Sequence, residues 1–137
     1  MQFENSSLSK KYTYSLKKFG FGKLFFLEKI IVAEMNYGIH FDWDKTEIIT
    51  NSILQHYGKN CKVGYISNRI NSYSFEPDIW SKFFEKYNFV VASASVYYSK
   101  MTLMNATIEK QFSKRKIKIT SSLEDAFDWI LSLKELS

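Results

Sequence analysis

Phe89-Val90-Val91-Ala92-Ser93-Ala94-Ser95-Val96 is the stretch on which the fold turns. It combines β-branched and small residues without the polar alternation of a half-solvated strand. That pattern marks a strand buried on both faces, as at the centre of a parallel sheet. Ala92 and Ala94 would let helices approach closely. A helix should therefore lie on each side of it in the chain. Upstream, Pro77 suits a first helical turn, where its missing N–H has no partner to lose. Ile79, Trp80, Phe83, Phe84 and Tyr87 then form a broad buried stripe. Downstream, Met101, Met104, Ile108 and Phe112 mark a third helix. Met101 and Met104, with Leu103 between them, could line an adaptable hydrophobic site, although their helical spacing favours the core.

The same alternation continues outward. Asp42 can cap a helix over Ile49, Ile53 and Tyr57, and Gly58 stops it. Lys62 to Ile66 reads as a short strand, and Lys116 to Thr120 as the last one. Ser121 and Glu124 match a capping box for a final helix, with Leu123, Ala126, Phe127, Ile130 and Leu131 on one face. Before all this come strand-like runs at Tyr12–Leu16, Lys23–Glu28 and Lys29–Met35, separated by Gly20 and Gly22 and followed by the turn Asn36-Tyr37-Gly38. The order is β-β-β-α-β-α-β-α-β-α. It predicts an α/β fold with a mixed sheet: an antiparallel N-terminal meander, then β-α-β-α-β-α units with helices packed on the sheet and right-handed crossovers. Residues 1–10 read as a flexible leader, and 11–137 as a single domain.

Composition agrees with one folded unit. The chain has 137 residues, 45% hydrophobic and 24% charged, and its twelve Phe, nine Tyr and three Trp supply a large core. A lone Cys61 rules out an internal disulfide and fits a reducing compartment. No apolar run reaches the roughly 18–20 residues of a membrane span. The opening MQFENSSLSK lacks the apolar centre of a signal peptide. Cytoplasm is the expected location. The net charge of +5 is spread along the chain, with one compact run at Lys114, Arg115, Lys116 and Lys118. That run falls where a solvated turn is expected, so nucleic acid is not the expected partner.

Two stretches carry a family resemblance. Ala33-Glu34-Met35-Asn36, followed by Asp42 and a helix, is similar to a strand ending in a short acidic turn. Phe112-Ser113-Lys114-Arg115-Lys116-Ile117-Lys118-Ile119, followed by Ser121-Ser122-Leu123-Glu124-Asp125-Ala126, is similar to a short strand leading into a capped helix. Both resemble the STAS superfamily, which includes bacterial anti-sigma-factor antagonists and sulfate-transporter tails. The chain most resembles an uncharacterised branch of it related to the lipid-binding SEC14 type. That resemblance implies a STAS-like fold and a non-enzymatic regulatory or protein-interaction module. The alternative is a carrier of a small apolar or lipid ligand, and a lesser one is a small hydrolase-like enzyme. The antagonists' phosphorylatable Asp-Ser-Ser-Gly motif is not present in Ser67–Pro77, so no phosphoserine is assigned.

The chemistry-bearing residues are few. G-x-G-x-x-G, P-loop, H-E-x-x-H, G-x-S-x-G and C-x-x-C patterns are absent from the sequence, and two histidines with one cysteine make a poor metal set. No cofactor and no metal are expected. His40 beside Asp42 is the best candidate for acid–base work, but Asp42 already has a capping use. His56, late in a helix, suits the negative end of its dipole. The segment Ser67 to Glu76 differs from the rest of the chain. Asn68, Arg69, Asn71, Ser72, Tyr73, Ser74 and Glu76 crowd a loop expected at the carboxyl end of a strand, where ligands of open α/β sheets gather. Arg69 and Tyr73 are residue types enriched at binding hot spots, so this loop is the expected surface for a protein partner or an anion. A bracing role, with the Asn side chains closing local turns, explains the same residues equally well.

Overall fold

The structure is a computed structural model that describes residues 1–113 and 117–133. After a single 3-10 turn at Phe3–Asn5 and the short helix α1 (Leu8–Lys11), β1 (Ser15–Phe19), β2 (Gly22–Phe26) and β3 (Ile30–Met35) form an antiparallel meander. Gly22 is required where β2 turns in beside β3, because a Cβ there would lie 2.7 Å from the Glu34 carbonyl oxygen. The chain then passes through β4 (His40–Phe41), α2 (Trp43–Tyr57), β5 (Val63–Arg69), β6 (Ser74–Phe75) and α3 (Ile79–Lys86). It ends with β7 (Val90–Tyr97), α4 (Lys100–Phe112), β8 (Ile117–Thr120) and α5 (Leu123–Leu131). Six strands make one sheet in the order β1-β2-β3-β5-β7-β8, with β3, β5, β7 and β8 parallel. Strands β4 and β6 pair separately as a parallel two-stranded ribbon. The predicted α/β architecture, meander first and parallel units after it, is the one observed.

The central stretch behaves as its composition requires. β5 is buried throughout and β7 nearly so, because both have strand neighbours at their edges and layers on both faces. One face of the sheet carries α5 and the N-terminal segment, with Phe25, Val32, Ile66, Ala94, Phe127 and Ile130 between them. The opposite face carries α2 and α3, whose Ile49, Ile53, Trp80 and Phe83 close over Leu24, Ile31 and Tyr65. Asp42 caps α2 as expected, accepting from the Lys45 N–H at 3.0 Å, and Gly58 ends that helix at φ 91°.

Several expectations are corrected. The N-terminal segment is not a loose leader: Phe3 is fully buried against Phe25 and Phe127, and Leu8 joins the same core. β1 begins at Ser15 rather than at Tyr12, because Tyr12 and Tyr14 turn inward onto Phe127 and Phe25. Pro77 lies one residue before the cap of α3, which starts at Ile79. The cap of α5 is Ser122, accepting from the Asp125 N–H, rather than Ser121 with Glu124. Leu131 is exposed, whereas Leu123, Phe127 and Ile130 are buried. The largest correction concerns β5, which runs on through Ser67-Asn68-Arg69 instead of ending at Ile66.

Candidate functional site at the carboxyl end of the sheet

Extending β5 to Arg69 carries a guanidinium into the protein interior. Arg69 is 2% exposed, and its Nη2 donates to Glu109 Oε1 of α4 at 2.7 Å. The start of α4 is fixed by a capping box between Ser99 and Thr102, and its inward residues are Thr102, Ala106 and Glu109. The sheet beneath explains that polar choice. Ser93 and Ser95 on β7 share a face with their register partners Tyr65 and Ser67 on β5, so α4 meets hydroxyls and an arginine there. The guanidinium also lies 5.3 Å from the ring centroids of both Tyr73 and Phe75, within cation–π reach. Burial works against the cation, but the Glu109 carboxylate, aided by Tyr73 and Tyr65, outweighs it and leaves the Arg69 pKa above its ordinary value. Burial raises the Tyr65 and Tyr73 hydroxyl pKa values, so both phenols stay protonated at neutral pH. Among the described residues, Arg69 Nε and Ser93 Oγ are buried without a hydrogen-bond partner.

Arg69 also lines a cavity between α2, α3, the β4–β6 ribbon and the sheet. Ile49, Ile53, Trp80 and Phe83 give it apolar walls, and Thr50, Ser67, Arg69, Tyr73 and Glu109 give it one polar side. The space open to the centre of a water molecule is about 40 Å³. On the opposite face of the sheet a second buried polar group forms around Glu34. Its Oε2 accepts from the Phe3 N–H and from Asn68 Nδ2, both at 2.7 Å, while Asn68 Oδ1 accepts from the Tyr98 hydroxyl at 2.6 Å. Burial, with the nearby Glu34 carboxylate, pushes the Tyr98 phenol up to about 12.

The residues singled out in Ser67–Glu76 are thus separated by the sheet. Asn68 points to the Glu34 face and Arg69 to the α4 face. Neither is a solvent-facing contact, and the anticipated free arginine fork is already engaged by Glu109. Asn71 Nδ2 donates to the Met35 carbonyl, and the Ser72 carbonyl accepts from the Gly38 N–H. Ser74 Oγ lies 2.8 Å from His40 Nδ1. Glu76 accepts from the Trp43 N–H at 2.7 Å and so helps to cap α2. Tyr73 remains beside Arg69 at the cavity, its carbonyl held by Asn105. The His40–Asp42 pairing does not form: Asp42 is committed to Lys45, and His40 meets Ser74 at an exposed position. His56 stacks on Phe26, centroids 4.6 Å apart. Cys61 is half-buried, and burial raises its thiol pKa. Of the basic run, Lys114, Arg115 and Lys116 lie outside the described residues. No group of three or more His, Cys, Asp or Glu that could hold a metal occurs among the described residues. No helix among them is long and apolar enough to cross a membrane.

Met101, Met104 and Phe112 are 55%, 59% and 52% exposed, and Ile108 joins them at the surface. Of the two readings of Met101 and Met104, helical spacing alone favours core. They instead form a continuous apolar stripe roughly a third of a turn from the buried face, by 100° per residue. The stripe flanks α3, whose Ser81 hydroxyl donates to the Phe112 carbonyl at 2.6 Å. The remaining charged residues on α4 are Lys100 and Lys110, both exposed, since Glu109 is spent inside on Arg69.

No family model matches the chain, and no curated protein matches it. Among solved structures it is similar to an uncharacterised protein of the DUF3478 family from Shewanella loihica PV-4, 12% identical, covering 86% of this chain and 92% of that one with a TM-score of 0.49. That protein is described as having a SpoIIAA-like fold.

Proposed function

We propose that the protein is a non-enzymatic interaction module that offers the outer stripe of α4 to another protein. One observation carries this reading: Met101, Met104, Ile108 and Phe112 line up in solvent on a helix whose inward face is polar. A folded chain exposes single apolar side chains freely, but a contiguous row of large ones marks a contact surface. Methionines suit such a surface because their flexible thioethers adapt to the partner's shape. The charge around the stripe selects the partner. Lys100 lies about a quarter of a turn from it, α4 has no exposed carboxylate, and the chain as a whole carries +5. A second copy would bring like charges together, so the fitting occupant is an acidic amphipathic segment, with apolar anchors between carboxylates.

The nearest approach to catalytic geometry, His40 with Ser74, favours no enzyme. Both side chains are exposed, and among the described residues no carboxylate bonds the other ring nitrogen to orient it.

The test is a photo-crosslinking residue at position 104, used in the cells the protein comes from, with the captured segment sequenced. An acidic segment with apolar residues at helical spacing is expected, and Met104→Glu should lower its affinity at least tenfold while leaving the melting temperature unchanged. A crosslink to a second copy of this chain, to lipid, or to a basic segment overturns the proposal.

A further inference from the structure

We propose that residues 1–11 are a peptide ligand held in cis, and that the groove they fill on the α5 face of the sheet also takes the same segment from a second copy of this chain. Glu34 on β3, Asn68 on β5 and Tyr98 just after β7 form a polar row at the carboxyl ends of three neighbouring strands. The segment is held across that row by its backbone. The Met1 carbonyl accepts from Asn68 Nδ2 at 2.9 Å, and the Phe3 N–H donates to Glu34 Oε2 at 2.7 Å. Tyr98 orients the amide by donating to Asn68 Oδ1 at 2.6 Å. Beside the row Phe3 enters an aromatic socket, its ring centroid 4.9 Å from Phe25, 5.2 Å from Tyr14 and 6.2 Å from Phe127. Backbone bonds that give affinity, with a side-chain pocket that gives specificity, are how folded domains read short segments.

The segment is attached as a ligand is. Among the described residues its backbone–backbone bonds close on itself between Gln2 and Tyr12, and it adds no strand to either sheet. Its link to β1 passes through Thr13, which is exposed and outside any helix or strand. Docking also carries a cost. Glu34 is 2% exposed, belongs to none of the ion pairs among the described residues, and has its Oε1 buried without a hydrogen-bond partner. Lifting Met1–Phe3 lets water reach that carboxylate, which offsets part of the gain from burying Phe3. A second copy offers the identical row and socket, and exchange of an identical element is a low-cost route to a symmetric dimer. The surface ion pair of Lys23 Nζ with Glu4 Oε1, 2.8 Å in cis, can re-form between copies. Concentration sets the balance between cis and trans docking, since a short link holds the segment at an effective concentration in the millimolar range.

The full chain carrying Phe3→Ala has an empty socket, and a synthetic peptide of residues 1–11 is the probe. The peptide should raise that variant's melting temperature in a saturable way, whereas the same peptide carrying Phe3→Ala should bind at least tenfold more weakly. Adding Tyr98→Phe to the chain should weaken the wild-type peptide severalfold. Should the Phe3→Ala chain be unfolded on its own, the peptide must fold it, read by near-ultraviolet circular dichroism. No rescue, or equal rescue by both peptides, overturns the groove. For the second copy, unlabelled and nitrogen-15-labelled wild-type chains are refolded together from urea at millimolar concentration and weighed by native mass spectrometry. Dimers of mixed mass are expected, reduced severalfold by an excess of the peptide and unchanged by Met104→Glu. Their absence, their persistence in excess peptide, or their loss in Met104→Glu overturns the exchange, the last by placing the contact on α4.

Discussion

Replacing Glu109 by alanine strands the Arg69 guanidinium in the interior, and the cost can be worked from the contacts. The pair is 2.7 Å apart, with its side chains 2% and 9% exposed, so solvent screens it little. Breaking one side of such a buried pair typically costs about 3–5 kcal/mol, because the remaining charge keeps its desolvation penalty and loses its partner. Tyr73 and Phe75 still face the cation from 5.3 Å, which favours the lower half of that range. With a urea slope of about 2 kcal/mol per molar, the unfolding midpoint should fall by about 2 M at unchanged slope. The double variant Arg69→Met, Glu109→Leu supplies the other half of the argument. Exchanging a buried ion pair for apolar side chains of similar volume is often neutral or stabilising, so its midpoint should return to within about 1 kcal/mol of wild type. Urea titrations of the wild type, Arg69→Met, Glu109→Leu and the double variant complete a cycle that isolates the coupling. A Glu109→Ala variant within about 0.5 kcal/mol of wild type would refute the reasoning, since experiment-scale losses at buried pairs are several-fold larger. So would a double variant as unstable as the sum of the singles.

Phe3→Ala should cost about 3–5 kcal/mol, the range for emptying a buried aromatic site, and an unchanged denaturation midpoint would mean that the N-terminal segment is not docked. Asp42 titrates below its usual carboxylate range because the Lys45 N–H bonds to it, with the Lys45 ammonium adding to the effect. Its stabilising contribution is therefore present above about pH 4 and is lost as pH falls through the lowered folded-state value. Asp42→Asn keeps a cap of similar strength without the titration. Melting curves between pH 7 and 2 should show the wild type losing stability relative to Asp42→Asn on the acid side, and parallel curves would count against the cap.

What could be read from the sequence depended on whether the deciding contact was local. The Asp42 cap and the Gly58 stop act within one turn of their helix, and both were legible. The small and β-branched run Val90–Val96 declares a doubly covered strand wherever it occurs. Arg69 is the opposite case. Ser67-Asn68-Arg69 reads as loop because its polarity is uncompensated locally, and its partners Glu34 and Glu109 lie far away in sequence. The same gap explains α4. Its Met101–Phe112 spacing does mark a helix, but which side faces inward depends on the hydroxyls and arginine that β5 and β7 present beneath it. Phe3 was missed because a single aromatic among polar residues has no periodicity to reveal it. Asn71, Ser74 and Glu76 contact Met35, His40 and Trp43, more than thirty residues away rather than within a local turn, and Tyr73 lies at the cavity.

The stacking of Phe3 on Phe127, centroids 6.2 Å apart, joins the two ends of the chain in one core. During synthesis the first of these residues emerges roughly 120 residues ahead of the second, a wait of about 6–25 s at about 5–20 residues per second. Once α3 has emerged, the meander β1–β3 and the growing parallel strands can have their α2–α3 face covered, while Phe25, Val32 and Ile66 still await α5. The nascent protein is thus one-sided until its last helix leaves the ribosome. Truncation before residue 123 would leave that apolar face permanently open, so clipped chains should be preferred clients of chaperones and proteases.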